Sequence, residues 1–121
     1  RIYPDASGDS RKSVNASITD LAMLKQAGFA VIAPAANPPV KDRINAMNAV
    51  FCNAQGERRY LINSLTCPTY ADGLEQQVWG ANGEPDKTAG IDHANDAGGY
   101  FIHREYPIIK PVTAIKMGYA R

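Results

Sequence analysis

Phe29-Ala30-Val31-Ile32-Ala33 is an apolar run of five residues closed off by Gly28 and Pro34. A run this short, with breakers on both sides, reads as a buried strand rather than a helix. Before it, Ser17-Ile18-Thr19-Asp20 has the S/T-x-x-D/E form of a helix start. Ile18, Leu21 and Leu24 then supply a helical apolar stripe that stops at Gly28, which predicts a helix over Ser17 to Ala27. Ala6 to Asn15, rich in Ser, Gly, Asp and basic residues, reads as a loop or a frayed helix start. Earlier still, Ile2-Tyr3-Pro4-Asp5 reads as the end of a second short buried strand. Strand, helix, strand in that order is a right-handed parallel crossover, and it places the chain in the α/β class.

The later elements follow from the same periodicities. Asn37-Pro38-Pro39 is a turn whose prolines preset a helix start, so a second helix is expected from Val40 to Cys52, with Val40, Ile44, Met47 and Phe51 as its buried stripe. Its opposite face, with Lys41, Asp42, Arg43, Asn45 and Asn48, reads as solvated. Arg59-Tyr60-Leu61-Ile62 is a candidate third strand. Pro68 to Trp79 is a candidate helix with Tyr70, Leu74 and Val78 four apart. Gly80 to Ala89 is polar and breaker-rich, hence a loop, and Tyr106 to Arg121 is an irregular tail containing Pro107 and Pro111.

Composition narrows the function classes. One domain is expected of 121 residues, and a hydrophobic content of 45% can supply an ordinary core. Thirteen basic residues against twelve acidic ones leave a net charge of +1, so any contact with nucleic acid must come from local patches. Cys52 and Cys67 form no C-x-x-C pair, which fits a reducing cytosol and argues against a structural zinc site; both read as small apolar residues. No apolar run approaches the ~18 residues of a membrane span, and no signal peptide opens the chain. The chain begins at Arg1 on what reads as the end of a strand, so it is expected to be a fragment of an intracellular protein.

The chemistry is concentrated in GIDHANDAGGYFIHREYP, Gly90 to Pro107, which holds both histidines. On a helix His93 stands beside Asp96, and Asp92 also stands beside Asp96. Two like charges at that spacing are repulsive by a few tenths of a kcal/mol on an isolated helix, so a cation nearby would make sense of them. A divalent metal is one candidate; acids answering the helix dipole, or a histidine paired with a carboxylate, are the others. Asp5, at the carboxyl end of a strand, is either a turn former or a member of a site, since parallel sheets carry functional groups at those ends. Together, an acid at a strand end and a His and Asp on a late helix form the oxygen-rich ligand set of two-metal phosphoryl transfer.

The runs YPDASGDSRK, NPPVKDRINAMN and EPDKTAGIDHANDAGGYFI, in this order and spacing, resemble the C-terminal nuclease domain of tailed-phage terminase large subunits, which cut and package viral DNA. The likeness covers nearly the whole chain, and D-H-x-x-D-A-x-G-Y is its most specific part. It implies a ribonuclease H-like mixed sheet with flanking helices, in which residues 1–121 form a single partial nuclease domain with the tail 106–121. It also implies that about three strands are missing, among them an N-terminal hairpin whose first strand carries the first catalytic Asp. Asp5, His93 and Asp96 then fall on the catalytic and metal-binding positions, with Asp92 matching the motif without an assigned metal role. Gly98 departs from the family, which commonly has a larger apolar residue there, and the Gly98-Gly99 pair costs a helix roughly 1 kcal/mol per glycine relative to alanine.

The activity so implied is a divalent-metal-dependent endonuclease, Mg²⁺ or Mn²⁺ in a two-metal site, that hydrolyses phosphodiesters of double-stranded viral DNA in the host bacterial cytoplasm. Arg11, Lys12, Lys41, Arg43 and Lys87 are candidate phosphate contacts, each with a solvated surface charge as the alternative. In the parent phage or prophage protein the implied partners are an ATPase domain, the small terminase subunit and the portal. The alternative is an inactive terminase fragment, a docking or remnant module. Without the hairpin, the strand Ile2 to Asp5 would present an open edge, through which the chain could form a homodimer unless the tail covers it.

Overall fold

The computed structural model describes residues 1–9 and 19–109. Four helices carry the architecture: α1 (Asp20–Gln26), α2 (Val40–Phe51), α3 (Pro68–Gln76) and α4 (Asp92–Glu105), with a 3-10 turn at Ala6–Asp9. Helix α4 lies in the middle, packed on α2 along one side and on α3 along another, while α1 sits against the 3-10 turn. Thr19, rather than Ser17, caps α1, its hydroxyl accepting from the Ala22 amide at 3.2 Å. Pro68 opens α3 at the position where its missing N–H leaves nothing unpaired.

The expected parallel crossover survives as a single rung. Ile2 pairs in parallel with Val31: its N–H donates to the Ala30 carbonyl and its carbonyl accepts from the Ile32 N–H, both at 2.8 Å. A parallel ladder would next need the amide of residue 4 and then the amide of residue 34. Both are prolines, which have no N–H to give, so the pairing stops where it starts. Beyond this rung and an antiparallel bridge between Trp79 and Pro85, the described residues contain no strand, and the expected mixed sheet is not present in them.

Three further expectations are corrected. Arg59 to Ile62 is not a strand: the Arg59 and Tyr60 amides both donate to the Val50 carbonyl at 2.8 and 3.0 Å, which folds the segment back over the end of α2. Helix α3 ends at Gln76, so Val78 leaves the apolar stripe and is 61% exposed in the hairpin-like turn that follows. Cys52 and Cys67 are exposed free thiols rather than packed apolar residues. Of the expected tail only Tyr106 to Ile109 is described, and Arg11, Lys12, Ser17 and Ile18 lie outside the described residues.

The core forms where α2 meets α4: Ala46, Met47, Val50 and Ile102 are buried, with Ile44, Phe51, Tyr60, Leu74 and Phe101 packed around them. The glycine pair that weakens α4 as a helix is what lets its neighbours close in. A Cβ on Gly98 would lie 2.0 Å from the Tyr70 hydroxyl, and one on Gly99 would lie 2.9 Å from the Met47 sulfur and 3.0 Å from the Arg43 stem. The Tyr70 hydroxyl, wedged against Gly98, has no hydrogen-bond partner among the described residues, and burial pushes its ionisation far above the ordinary tyrosine range.

Two opposed outcomes follow for chemical denaturation. Gly98→Ala gains up to ~1 kcal/mol of helix propensity, yet the overpacking against Tyr70 makes the net change destabilising by ~1–3 kcal/mol. Tyr70→Phe removes an unsatisfied buried hydroxyl and is expected to stabilise the fold by about 1 kcal/mol. A stabilising Gly98→Ala would show that Tyr70 does not hold α3 against α4.

Candidate functional site

Tyr3 brings the N-terminal segment onto α4. Its ring meets Phe101 edge-on with centroids 5.1 Å apart, and its hydroxyl donates to Glu105 Oε1 at 2.6 Å, which raises the phenol's pKa. With Tyr3 fixed over the C-terminal half of the helix, Asp5 arrives over the N-terminal half. There Asp5, His93 and Asp96 line one open cleft of about 270 Å³ together with Tyr3, Pro4, Ala97 and Tyr100. The three residues are thus gathered on one face, although 91 positions of sequence separate the first from the last.

Asp5 also does what a lone aspartate after a strand ordinarily does. Its Oδ1 accepts from the Ser7 hydroxyl at 2.7 Å and from the Gly8 amide at 3.2 Å, capping the 3-10 turn. The turn is tied further by the Ala6 amide, which donates to Asn37 Oδ1 at 2.6 Å in the loop before α2. These bonds fix the Asp5 carboxylate in orientation while leaving the side chain on the cleft wall.

Asp96 is held far more firmly. Arg43 Nη1 donates to its Oδ1 at 2.5 Å, and Lys87 Nζ donates to its Oδ2 at 3.2 Å. Lys87 Nζ is also 3.5 Å from Asp92 Oδ2. The carboxylates at i and i+4 therefore do share a cation, as their spacing called for, and it is the ammonium of Lys87, whose pKa is raised chiefly by Asp96. The Arg43 guanidinium lies 5.0 Å from the centroid of Tyr100, whose own pKa burial pushes up.

Arg43 corrects an expectation. Its side chain is only 3% exposed and committed to Asp96, so it is not a surface cation waiting for phosphate. The signal was in the helical spacing: Arg43 lies three and four residues before Ala46 and Met47 and seven before Val50, on the buried stripe of α2. Lys41 is exposed, as is Lys87 at 59%, although the Lys87 ammonium is engaged by Asp92 and Asp96. Asp92 is buried at the first turn of α4, where an acid also answers the helix dipole.

The donor set of the cleft, two carboxylates and an imidazole, fits a hard divalent cation in kind. The spacing does not yet complete it: among the described residues no three His, Cys, Asp or Glu side chains are gathered closely enough to hold one metal ion. Asp96 shows why, since both of its oxygens already have cationic partners. Among the described residues no helix is long and apolar enough to cross a membrane.

Residues 2–105 match the family model described as the terminase RNaseH-like domain. No curated protein and no solved structure matches the chain.

Removing the Arg43 guanidinium while leaving Asp96 in place strands a carboxylate that is 21% exposed. Arg43→Met is therefore expected to destabilise the fold by roughly 3 kcal/mol, the low end for breaking a buried pair because Lys87 and solvent still reach Asp96. The double variant Arg43→Met/Asp96→Asn should lose much less than the sum of the two single changes, and strictly additive losses in a denaturation cycle would mean that the pair is not coupled.

Proposed function

The chain belongs to the terminase RNaseH-like domain family, and on that premise we propose that it is a metal-dependent endonuclease module of a DNA-packaging terminase, acting on the phosphodiesters of double-stranded DNA. The observation that carries this reading is the shared cleft: Asp5 and His93–Asp96 come from opposite ends of the chain and line one open surface.

In this reading Asp5, Asp96 and His93 would hold Mg²⁺ or Mn²⁺. When bound, such an ion supplies charge stabilisation and an acidified water for attack on phosphorus. The chain's own residues do the rest. Asp5, oriented by Ser7 and Gly8, and Asp96, oriented by Arg43, present carboxylate oxygens from two sides of the cleft. Exposed His93, one position from Asp92 on the first turn of α4, would in this reading orient the attacking water. Of the candidate phosphate contacts, exposed Lys41 would be the described cation left to steer a phosphate backbone, since the Lys87 ammonium is engaged by Asp92 and Asp96. ATPase, small-subunit and portal partners belong to the same proposal.

A second reading, a non-catalytic docking module, is favoured by one observation: no three ligating groups among the described residues converge on a single point. Nicking of supercoiled plasmid separates the two. The nuclease reading expects slow, Mn²⁺-dependent conversion to open circles by the 121-residue chain, reduced by about 100-fold or more in Asp96→Asn and Asp5→Asn, at or beyond what losing even an outer-shell partner costs a metal site. Nicking that persists undiminished in both variants, or that ignores chelators, would remove Asp5 and Asp96 from the chemistry. Complete inactivity with intact folding would leave the docking module.

A further inference from the structure

The described cations divide by what they already hold. Arg43 is committed to Asp96, and Lys87 to Asp96 and Asp92. Lys25 lies on α1 and Lys41 at the start of α2. A third set gathers at the C-terminal end of α4. Exposed Arg104 is in its last turn, and exposed Arg59 lies over Tyr106, the residue that ends the helix, with the guanidinium 6.0 Å from the ring centroid. Among the described residues neither arginine has a carboxylate partner. Glu105, the nearest acid in sequence, is taken by the Tyr3 hydroxyl at 2.6 Å.

A cation in the last turn of a helix answers the dipole, and Arg104 alone needs no other reason. Arg59 arrives from a different segment. Its amide and that of Tyr60 donate to the Val50 carbonyl at 2.8 and 3.0 Å, which folds the segment over the end of α2 and sets Arg59 against the end of α4. Two like charges brought to one helix end by separate elements repel each other. The Tyr106 ring beneath Arg59 restrains its guanidinium without neutralising it. A polyanion would balance both.

Arg104 is also connected to the cleft. With His103 it lines a cavity of about 500 Å³ that shares Tyr3, Pro4 and Tyr100 with the cleft of Asp5, His93 and Asp96. The two hollows adjoin along α4, with Asp96 at one end and Arg104 at the other. Asp42 is the carboxylate on the wall of the larger one, and it meets His103 again in a smaller cavity that Arg104 does not line. Eight residues of helix separate Asp96 from Arg104, about 12 Å along the axis.

We infer that the C-terminal end of α4 is a docking surface for the phosphate backbone of nucleic acid, with Arg59 and Arg104 as its phosphate contacts and the furrow over Tyr100 joining them to the cleft. The planar guanidinium is well matched to phosphate, which it can hold through two parallel hydrogen bonds. At a rise of 3.4 Å per nucleotide, about 12 Å of helix places the phosphate at Arg104 within roughly four nucleotides of one in the cleft. That the nucleic acid is double-stranded DNA rests on the nuclease reading above; the surface itself requires no metal and no catalysis.

The test is equilibrium binding of a fluorescein-labelled duplex to the 121-residue chain in EDTA, read by anisotropy over a series of salt concentrations. Arg59→Gln and Arg104→Gln are each expected to lower the slope of log K against log salt by about 0.9, and the double variant by about 1.8, one phosphate contact at a time. Lys25→Gln, which removes an exposed cation from α1, should bind as the wild type does. In the wild type, the ¹⁵Nε resonances of Arg59 and Arg104 should move when duplex is added.

Arginine variants with wild-type affinity and slope, and resonances that stay still, overturn the docking surface and leave the nuclease reading standing. A loss in Lys25→Gln equal to that in the arginine variants shows an effect of net charge alone and overturns it too. Wild-type binding that polyglutamate displaces as well as unlabelled duplex does overturns the commitment to nucleic acid, and so does a wild type that binds no duplex at about 50 mM salt. Duplex binding with the expected dependence on Arg59 and Arg104, beside nicking that Asp5→Asn and Asp96→Asn leave undiminished, keeps the surface and removes the nuclease reading.

Discussion

The contact between Arg43 and Asp96 joins the two helices on which the described fold depends. Helix α2 brings a buried arginine and α4 a half-buried aspartate, and their 2.5 Å pairing lies close to the apolar cluster of Ala46, Met47, Val50 and Ile102. A buried ion pair is weak evidence for net stability, because desolvation of both charges offsets their attraction. What it supplies here is a fixed register. Arg43 can reach Asp96 only with Gly99 facing its stem, and Met47 closes on the same glycine, so α2 and α4 cannot slide by a turn without losing packing and charge compensation together.

The same economy explains how a chain with so little sheet orients its N-terminal acid. One parallel rung at Ile2, one aromatic contact at Tyr3 and one capped turn at Asp5 position three of the first five residues. Each is modest: an aromatic pair contributes ~0.5–1.5 kcal/mol beyond its burial, and a net hydrogen bond about 1 kcal/mol. Their value lies in spacing. Tyr3 and Asp5, two residues apart in extended chain, lie roughly 7 Å apart. On α4, Phe101 and Asp96 are five residues apart, about 7.5 Å along the axis. A chain laid along the helix thus brings Asp5 level with Asp96 along the axis once Tyr3 has found Phe101, and the two acids line one cleft.

Much of this was legible in the sequence, and the failures share a cause. Helices α2, α3 and α4 follow from the 3.6-residue period with the start signals of Pro39 and Pro68, and so does the closeness of Asp92 to Asp96, whereas the period left open what would balance the two acids. The parallel relation of Ile2 to Val31 follows from the strand-helix-strand order. What the period alone did not reveal was anything in which a residue acts against its type. Arg43 reads as solvent-facing because arginine is rarely buried, although its position on α2 is a core position. Gly98 and Gly99 read as a weakness of α4 because their intrinsic propensity is poor, whereas the gaps they leave are filled by Tyr70, Met47 and Arg43. Tyr60 reads as strand, yet its amide is drawn to the last turn of α2.

The prolines at 4 and 34 bear on the site as well as on the sheet. Had residue 4 carried an amide, it could have paired with the Ile32 carbonyl and drawn Asp5 into the ladder. There, strand alternation would have set the side-chain direction, with residues 3 and 5 on one face of a sheet. Instead the pairing ends at Ile2, and the backbone after Pro4 turns at once into the 3-10 turn that Asp5 itself caps. The direction of the Asp5 carboxylate is therefore set by its own side-chain hydrogen bonds to Ser7 and Gly8. An acid fixed in that way lines the same cleft as a second acid, Asp96, that is fixed by Arg43, so each carboxylate is oriented by partners from its own end of the chain or from α2 and neither depends on a sheet.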